Sequence, residues 1–143
     1  MIHSIPNLSS TSAALDAENT RLEIIAQNIA NANTTRGLDG KAYQRQQVVF
    51  ESVLQRAQSK DGGPDLATLP HVSRIRKDPR PGQAVYQPGH PDADANGMVQ
   101  LPNVNIYEEM ADMIVASRTY EANVAVFKNG RAIAMQALSI GKH

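Results

Sequence analysis

The stretch that decides the fold runs from residue 105 to residue 140 and reads NIYEEMADMIVASRTYEANVAVFKNGRAIAMQALSI. Two series of seven-residue steps run through it, as in a long amphipathic helix, and eight of their ten positions are apolar. The series are Ile106, Met113, Tyr120, Phe127 and Ala134, and Met110, Ser117, Val124, Arg131 and Leu138. With Asn105 as its cap and Gly141 as its stop, the helix is predicted to be about 55 Å long. Gly130 is its weak point, because an interior glycine costs about 1 kcal/mol unless close packing requires the missing side chain.

A second amphipathic helix is predicted near the N-terminus. The chain has neither Pro nor Gly from Leu8 to Asn33. Within this range Leu8, Leu15, Leu22 and Ile29 repeat the seven-residue step, and Ile25 and Ala32 follow three residues after the last two. The helix is expected to end in residues 34–37 and to be about 39 Å long.

The residues between these helices are expected to form short strands and turns, because the eight prolines all lie outside the two helices. Strands are predicted at 43–50, 84–87 and 98–101, a turn leading into a hairpin at Asp39–Gly40, and a mobile loop at 57–70. The predicted fold class is therefore α+β, with the two terminal helices pairing as a coiled coil. We expect an N-terminal helical segment (1–37), a small β-rich insert (38–103) and a C-terminal long helix (104–143).

The apolar content of the chain is low. Leu, Ile, Val and Phe together number 31 of 143 residues, just above the level of about one fifth below which chains struggle to bury a core. Two narrow apolar stripes that close on each other leave much side-chain surface uncovered. Either other chains complete the core in an assembly, or the stripes pack on the β-rich insert of a monomer, and the periodicity leaves both interpretations open.

Composition excludes several functional classes. Fourteen Lys and Arg balance fourteen Asp and Glu, so the phosphate-neutralising excess of a nucleic-acid binder is missing. The absence of Cys rules out disulfides, thiolate metal sites and a cysteine nucleophile. The longest apolar run has four residues, Met113–Ala116, against the roughly 20 of a membrane-spanning helix. No basic segment followed by an apolar run begins the chain, so a cleaved signal peptide is not expected.

One segment resembles a metal site. Residues 92–97, Asp-Ala-Asp-Ala-Asn-Gly, copy the first six positions of a calcium loop. However, the twelfth position is Asn103, which offers no bidentate carboxylate, and Pro88 and Pro91 forbid the helix that should lead into the loop. The alternative is a turn whose Asp and Asn side chains bond their own backbone, followed by a strand at Met98. We expect no metal and no cofactor.

Polar residues near the ends of the two helices allow more than one interpretation. Glu108, Glu109 and Asp112 could include a catalytic carboxylate pair, but acidic residues at a helix start are favoured by the helix dipole, which is the interpretation preferred here. Asn28, Asn31 and Asn33 are poor helix formers. Their amides either mark fraying into the loop or bond across to neighbouring helices or backbones in an assembly, where unpaired amides would be costly and therefore enforce register.

Residues 27–35, QNIANANTT, resemble the N-terminal signature of the bacterial flagellar rod and hook proteins. Residues 85–99, 101–104, 109–110 and 116–123 resemble the proximal rod subunits within that family, and the resemblance extends from about Leu15 to Lys142. It implies a structural protein without catalysis, present in multiple copies in a helical, hollow drive shaft. The implied partners are other flagellar rod proteins, the rod-base adaptor, the inner-membrane ring and the flagellar type III export apparatus. The implied location is the periplasmic rod of the basal body, reached without signal cleavage.

The resemblance and the periodicity together predict which residues form seams between helices or subunits. These are Leu15, Leu22, Ile25, Asn28, Ile29, Asn31, Asn33, Ile106, Met110, Met113, Tyr120, Val124, Phe127 and Leu138. The insert is expected to contact neighbouring subunits or the ring, with the Arg and Gln side chains of residues 44–47 exposed. The rival functions are a sibling rod or adaptor subunit, and a secreted wall-cutting hydrolase, which would need two facing carboxylates.

Overall fold

The fold was analysed in a computed structural model, which describes residues 6–58 and 64–141. Its elements are α1 (Pro6–Ala30), β1 (Gln46–Gln58), β2 (Pro64–Lys77), β3 (Ala84–Tyr86), β4 (Met98–Gln100) and α2 (Ile106–Ile140). The strands form two antiparallel pairs, β1 with β2 and β3 with β4. Two long helices with two small sheets between them in sequence confirm the predicted α+β class.

The two helices pack against each other in opposite directions. Near the start of α1, Leu8 lies beside Gly130 of α2, and near its end Asn28 bonds to Glu109. A Cβ atom added to Gly130 would lie 3.2 Å from Leu8 Cδ2. The glycine that looked like a weak point in the sequence therefore lies where Leu8 of α1 packs closely against α2. Beyond Gly130, α2 continues for ten more residues to Ile140, about 15 Å.

The shielded face of α2 differs from the apolar pattern in one of its two series. Glu109 and Ala116 are buried, and Asn123 and Gly130, which continue their series of seven-residue steps, are partly covered. Met113, Tyr120, Phe127 and Ala134 form another partly covered series, and Ser117 and Val124 are partly covered as well. The second of these series was predicted. In its partner series polar and small residues replace Met110 and Leu138, which are 52% and 60% exposed. A search for apolar periodicity cannot find a series whose members are Glu, Ala, Asn and Gly.

Helix α1 has one covered face and one polar outward face. Ala17, Ile24, Ile25 and Asn28 are buried, and α1 contacts β1 and β2 as well as α2. The leucines of the predicted seven-residue stripe are half-buried at the side of this face. The outward face carries Ser9, Ser12, Asp16, Asn19, Glu23, Ala26 and Gln27, all exposed. Helix α1 therefore packs on the insert as well as on α2, as the monomer interpretation predicts, and completion of the core by other chains stays a prediction.

Strands β1 and β2 form a long hairpin, paired from Gln46 opposite Lys77 to Gln58 opposite Pro64, with a bulge between Val49 and Phe50. The strand predicted at 43–50 thus starts later and is longer. The predicted loop at 57–70 is wrong for residues 57–58 and 64–70, which are strand; residues 59–63 lie outside the described part. Gly, Ser and Pro are typical of loops and of hairpin turns alike, so composition could not separate the two.

The Asp39–Gly40 turn exists, with Gly40 at a φ of 73°. It precedes β1 and does not join two paired strands. The predicted turn is therefore confirmed, and the prediction that it leads into a hairpin as its connection is wrong. The strands predicted at 84–87 and 98–101 are confirmed as β3 and β4, with Val85 opposite Val99.

The segment that resembles a calcium loop is a turn closed by its own side chains. Asp94 Oδ1 accepts hydrogen bonds from the backbone N–H groups of Asn96 (2.8 Å) and Met98 (2.9 Å). Gly97 has a φ of 76°, a backbone angle that residues other than glycine rarely adopt. The predicted Asx turn leading into a strand at Met98 is confirmed.

We predict that Gly97→Ala destabilises the chain by about 2 kcal/mol, because φ is positive there and the new Cβ would lie 2.9 Å from Tyr86 Cε2. Urea denaturation followed by circular dichroism measures the loss. Gly89→Ala is the matched control, since its Cβ would meet no atom within 4 Å. Equal stability of the two variants would contradict the prediction.

Candidate functional site

A buried polar junction connects every long element of the chain. It consists of Asn28 near the end of α1, Arg45 before β1, Asp78 after β2, Asn103 before α2 and Glu109 in the first turn of α2. Asn28, Asp78 and Glu109 are the buried polar side chains of the described part. A group of ionisable side chains away from water needs partners for every charge.

Asn28 uses its full hydrogen-bonding capacity. Its Nδ2 donates to Gln46 O and to Glu109 Oε2, both at 2.9 Å. Its Oδ1 accepts from Gln46 N and from Tyr43 Oη, also both at 2.9 Å. The amide therefore pairs with the backbone of Gln46 as a neighbouring strand would, and joins α1, the start of β1 and α2.

Glu109 and Arg45 form the charged centre of the junction. Glu109 is completely buried, and its Oε1 accepts a hydrogen bond from Arg45 Nε. The guanidinium, whose side chain is 12% exposed, also donates to Asp112 Oδ2 at 3.3 Å and lies 3.9 Å from Asp78 Oδ2. One cation is thus shared by three carboxylates. Burial, and secondarily the charge of Glu109, raises the pKa of the neighbouring Tyr43 hydroxyl.

Asp78 anchors the other side of the junction. Hydrogen bonds from the side chain of Arg80, at 2.7 Å to Oδ2 from Nη2, lower the pKa of the Asp78 carboxyl, and the Arg80 backbone N–H adds to this. Asn103 donates to Asp78 O and Arg80 O, and accepts from Arg45 N at 2.6 Å. The segment before α2 is thereby bonded to the residues that precede β1 and to those that follow β2, at the base of the hairpin.

The structure corrects two predictions about these residues. Residues 44–47 are not uniformly exposed: Gln44 is, but Arg45 is nearly enclosed and Gln46 and Gln47 are half-buried. Glu109 and Asp112 do more than complement the helix dipole, because both bond to Arg45; Glu108 remains exposed. The signal that could have found Glu109 is its place seven residues before Ala116, in a polar and small-residue series.

The three asparagines have different environments. Asn28 bonds across to α2 and to β1, within its own chain. Asn31 bonds locally, donating to Gln27 O at 2.9 Å and accepting from Thr34 Oγ1 at 3.1 Å. Asn33 is exposed. Asn28 thus joins elements of its own chain and Asn31 closes the turn that ends α1, while bonds from these amides to other subunits stay a prediction.

The other predicted seam residues fall into three groups by exposure. Ile25 is buried. Leu15, Leu22, Ile29, Met113, Tyr120, Val124 and Phe127 are partly covered. Ile106, Met110 and Leu138 are 38%, 52% and 60% exposed.

The chemistry of the junction is that of a structural clamp. Its carboxylates converge on a guanidinium instead of facing each other across a cleft, so they lack the arrangement that glycoside hydrolysis needs. Among the residues that the structure describes, no group of three or more His, Asp or Glu side chains is placed to hold a metal ion. Neither helix of the described chain has a stretch apolar enough to cross a membrane.

Two protein families match the chain. Residues 8–36 match the family described as flagella basal body rod protein, and residues 95–140 match the flagellar basal body rod FlgEFG protein C-terminal family. The first match covers most of α1 and the second contains β4 and all of α2. The class defined by the fold and by these matches is therefore that of the flagellar basal-body rod proteins.

Whole-length relatives identify the family within this class. The chain is 40% identical to the flagellar basal-body rod protein FlgC of Yersinia enterocolitica, over 91% of this chain and 92% of that one. It is 38% identical to FlgC of Borreliella burgdorferi (94% and 95%) and 35% identical to FlgC of Bacillus subtilis (95% and 97%). The chain belongs to the FlgC family of flagellar basal-body rod proteins.

We predict that Glu109→Ala lowers the free energy of unfolding by about 3 kcal/mol, because it leaves Arg45 and Asn28 enclosed without their partner. Glu108→Ala, one residue earlier on the exposed side of α2, is the control and is expected to change it by less than about 0.5 kcal/mol. Urea denaturation of the full chain measures both. Similar values for the two variants would show that the junction does not hold the fold.

The lowered pKa of Asp78 predicts a pH dependence. Its stabilising effect is complete above the unfolded pKa, about 4, and is lost as the pH falls through the lower folded value. Asp78→Asn should therefore cost about 2 kcal/mol at pH 7, with a smaller cost at pH 3. Denaturation curves at both pH values measure this difference, with Asp16→Asn on the exposed face of α1 as the control. A cost for Asp78→Asn that stays constant with pH would contradict the assignment.

Proposed function

We propose that the chain is a structural subunit of the proximal rod of the bacterial flagellum and has no enzymatic activity. It assembles helically with other rod proteins into the hollow shaft that transmits motor torque and carries export substrates. The FlgC relatives, which are named as basal-body rod proteins, support the rod assignment. The observation that carries the mechanism is the outward face of α2, which is apolar and uncovered in the single chain.

This outward face has the character of an interface. Val115, Val126, Ile133 and Ile140 are between 54% and 71% exposed, and the last three are spaced by seven residues. Single exposed apolar residues are ordinary, but an aligned row along a helix marks a surface that another protein covers. Since the outward face of α1 is polar, α2 is the helix that bonds to neighbouring subunits in this proposal.

The start of this row adjoins a groove between the two helices. Leu8 lines it from α1, and Val126, Gly130 and Ile133 line it from α2, around a volume of 460 Å³. The ten residues of α2 beyond Gly130 extend the same surface, with Leu138 on another side. In the rod, neighbouring helices would cover this groove, pairing as coiled-coil layers.

The sequence-predicted seam residues fit into this arrangement as proposed contacts. Exposed members such as Met110 and Leu138 would meet neighbouring subunits directly, and half-buried ones such as Leu22 and Phe127 would become enclosed. Segments 1–37 and 104–143 would form the rod core, and 38–103 a separate insert. Each Å² of apolar surface that a neighbouring subunit covers contributes about 25 cal/mol to the free energy of association. Many small seams would together make the shaft stiff.

The partners and location follow from the same proposal. The neighbours are other rod proteins, the rod-base adaptor and the inner-membrane ring, and the chain reaches the periplasmic rod through the flagellar type III export apparatus without signal cleavage. Membership in the FlgC family supports a basal-body location. Cryo-electron microscopy of purified basal bodies tests the proposal: density for α1 and α2 in the proximal rod is expected, and absence of the chain from the axial structure would refute it.

We predict that Val126→Asp and Ile133→Asp abolish swimming while the chain is still made and folded, because each places a charge in a subunit seam. Leu22→Asp and Phe127→Asp are expected to abolish swimming too, although they also disturb the fold. Swimming in soft agar and circular dichroism of the purified chains measure the two effects. Ala26→Asp, which adds a negative charge to the already acidic outward face of α1, is the control and should swim normally; normal swimming by the α2 variants would contradict the seam.

A further inference from the structure

Strand β2 ends in a basic row, Arg74, Arg76 and Lys77. All three side chains are exposed, and none forms an ion pair or side-chain hydrogen bond with another residue of the described chain. Their cross-strand neighbours, Val49, Gln47 and Gln46, are uncharged. The row therefore concentrates uncompensated positive charge in a chain whose net charge is zero.

The nearby arginines behave differently. Arg45 and Arg80 are both engaged by carboxylates of the junction, at Glu109, Asp112 and Asp78. The junction thus engages Glu109, Asp112 and Asp78, and no carboxylate of the described residues pairs with the basic row. A negative surface on another molecule would compensate it.

An acidic row on the outward face of α1 has the complementary properties. Asp16 and Glu23 are exposed, lie seven residues apart on one face, and make no ion pair in the described chain. Asn19 donates a hydrogen bond to Glu23 Oε1 at 3.1 Å. The two carboxylates are about 10 Å apart along the helix. Because successive side chains alternate across a strand, Arg74 and Arg76 lie on one face, about 7 Å apart, and Lys77 lies on the other. The two arginines and the two carboxylates therefore form rows of opposite sign whose lengths differ by about 3 Å, which long side chains can span.

We propose that the basic row of β2 binds the acidic row of α1 on a second copy of the chain, an inference that rests on the proposed assembly in multiple copies. Because the two rows are different surfaces of one chain, their contact is head-to-tail between copies, and such contacts generate helical arrangements when the rotation does not close. The outward face of α1, which has no apolar row for a seam, thereby takes part in the assembly through charge.

Charges on an edge strand have another role, since they prevent unwanted strand pairing. That role needs a charge but not a particular sign. Reversing the sign therefore separates the two explanations, because a negative edge protects the hairpin equally well but repels the acidic row.

The experiment uses three variants in a strain without its own copy of the chain. They are Arg74→Glu with Arg76→Glu, Asp16→Lys with Glu23→Lys, and all four substitutions together. Each reversal alone is expected to lower the amount of the chain in purified basal bodies about tenfold, corresponding to roughly 1.4 kcal/mol, and the combined variant is expected to recover it. Wild-type incorporation of either single reversal, or no recovery in the combined variant, would overturn the proposal.

Cross-linking distinguishes this contact from the proposed function itself. The chain contains no Cys, so Arg76→Cys and Glu23→Cys can be expressed as separately tagged copies in one strain. A disulfide between the two tags in isolated basal bodies is expected, and Glu121→Cys on α2 replaces Glu23→Cys in the control pair. Copies present in basal bodies but not joined would refute the docking alone, whereas a wild-type chain absent from basal bodies would refute the rod assignment.

Discussion

The ion pair between Arg45 and Glu109, held in place by Asn28, is the interaction on which the arrangement of the chain depends. Glu109 is fully buried one turn into α2, and Asn28 lies near the end of α1, so their bond sets the register of two antiparallel helices. Arg45 and Asp78 attach the base of the β1–β2 hairpin at the same point. A buried ion pair adds little net stability compared with apolar packing, but leaving one partner alone is costly. Any other register of the two helices would leave Arg45 or Glu109 buried without its partner. This energetic cost favours the observed arrangement over the others.

From this junction the chain extends in a strongly asymmetric way. Helix α1 is covered on one side by α2 and the hairpin and presents polar groups on the other. Helix α2 is covered along Ala116 and its neighbours in the seven-residue series, yet its remaining surface is largely apolar and its last ten residues pass beyond Leu8. The chain has little apolar content, and many of its apolar side chains lie on an exposed surface. This is expected of a subunit whose core is completed in an assembly. The polar junction orders one end, and the exposed surface remains available to neighbours.

Much of the fold was predictable because it depends on local signals. The bounds of α2 follow from Asn105, whose Oδ1 accepts from Tyr107 N at 3.0 Å, and from Gly141 at its end. The turn at 92–97 follows from Asp and Asn side chains that bond their own backbone. The long hairpin was not predictable in the same way, since strands β1 and β2 are defined by pairing with each other, and the residues around their connection have the composition of a loop. The pairing of two strands with each other leaves no pattern in the sequence of either strand alone.

The sequence by itself determined the two long helices, the caps of α2, the short β3–β4 pair and, through the resemblance of residues 27–35 and 85–123, the class of protein; α1 ends at Ala30, earlier than the predicted 34–37. Only the tertiary structure decided which face of each helix is covered, because the covered series of α2 contains Glu109, Asn123 and Gly130, which no apolar pattern marks. It also decided that Arg45 is enclosed, since this arginine is held away from water only because three carboxylates from two other segments, α2 and the end of β2, converge on it. Periodicity predicts which side of a single helix or strand is apolar, whereas a charged side chain can be buried only where other elements supply its partners.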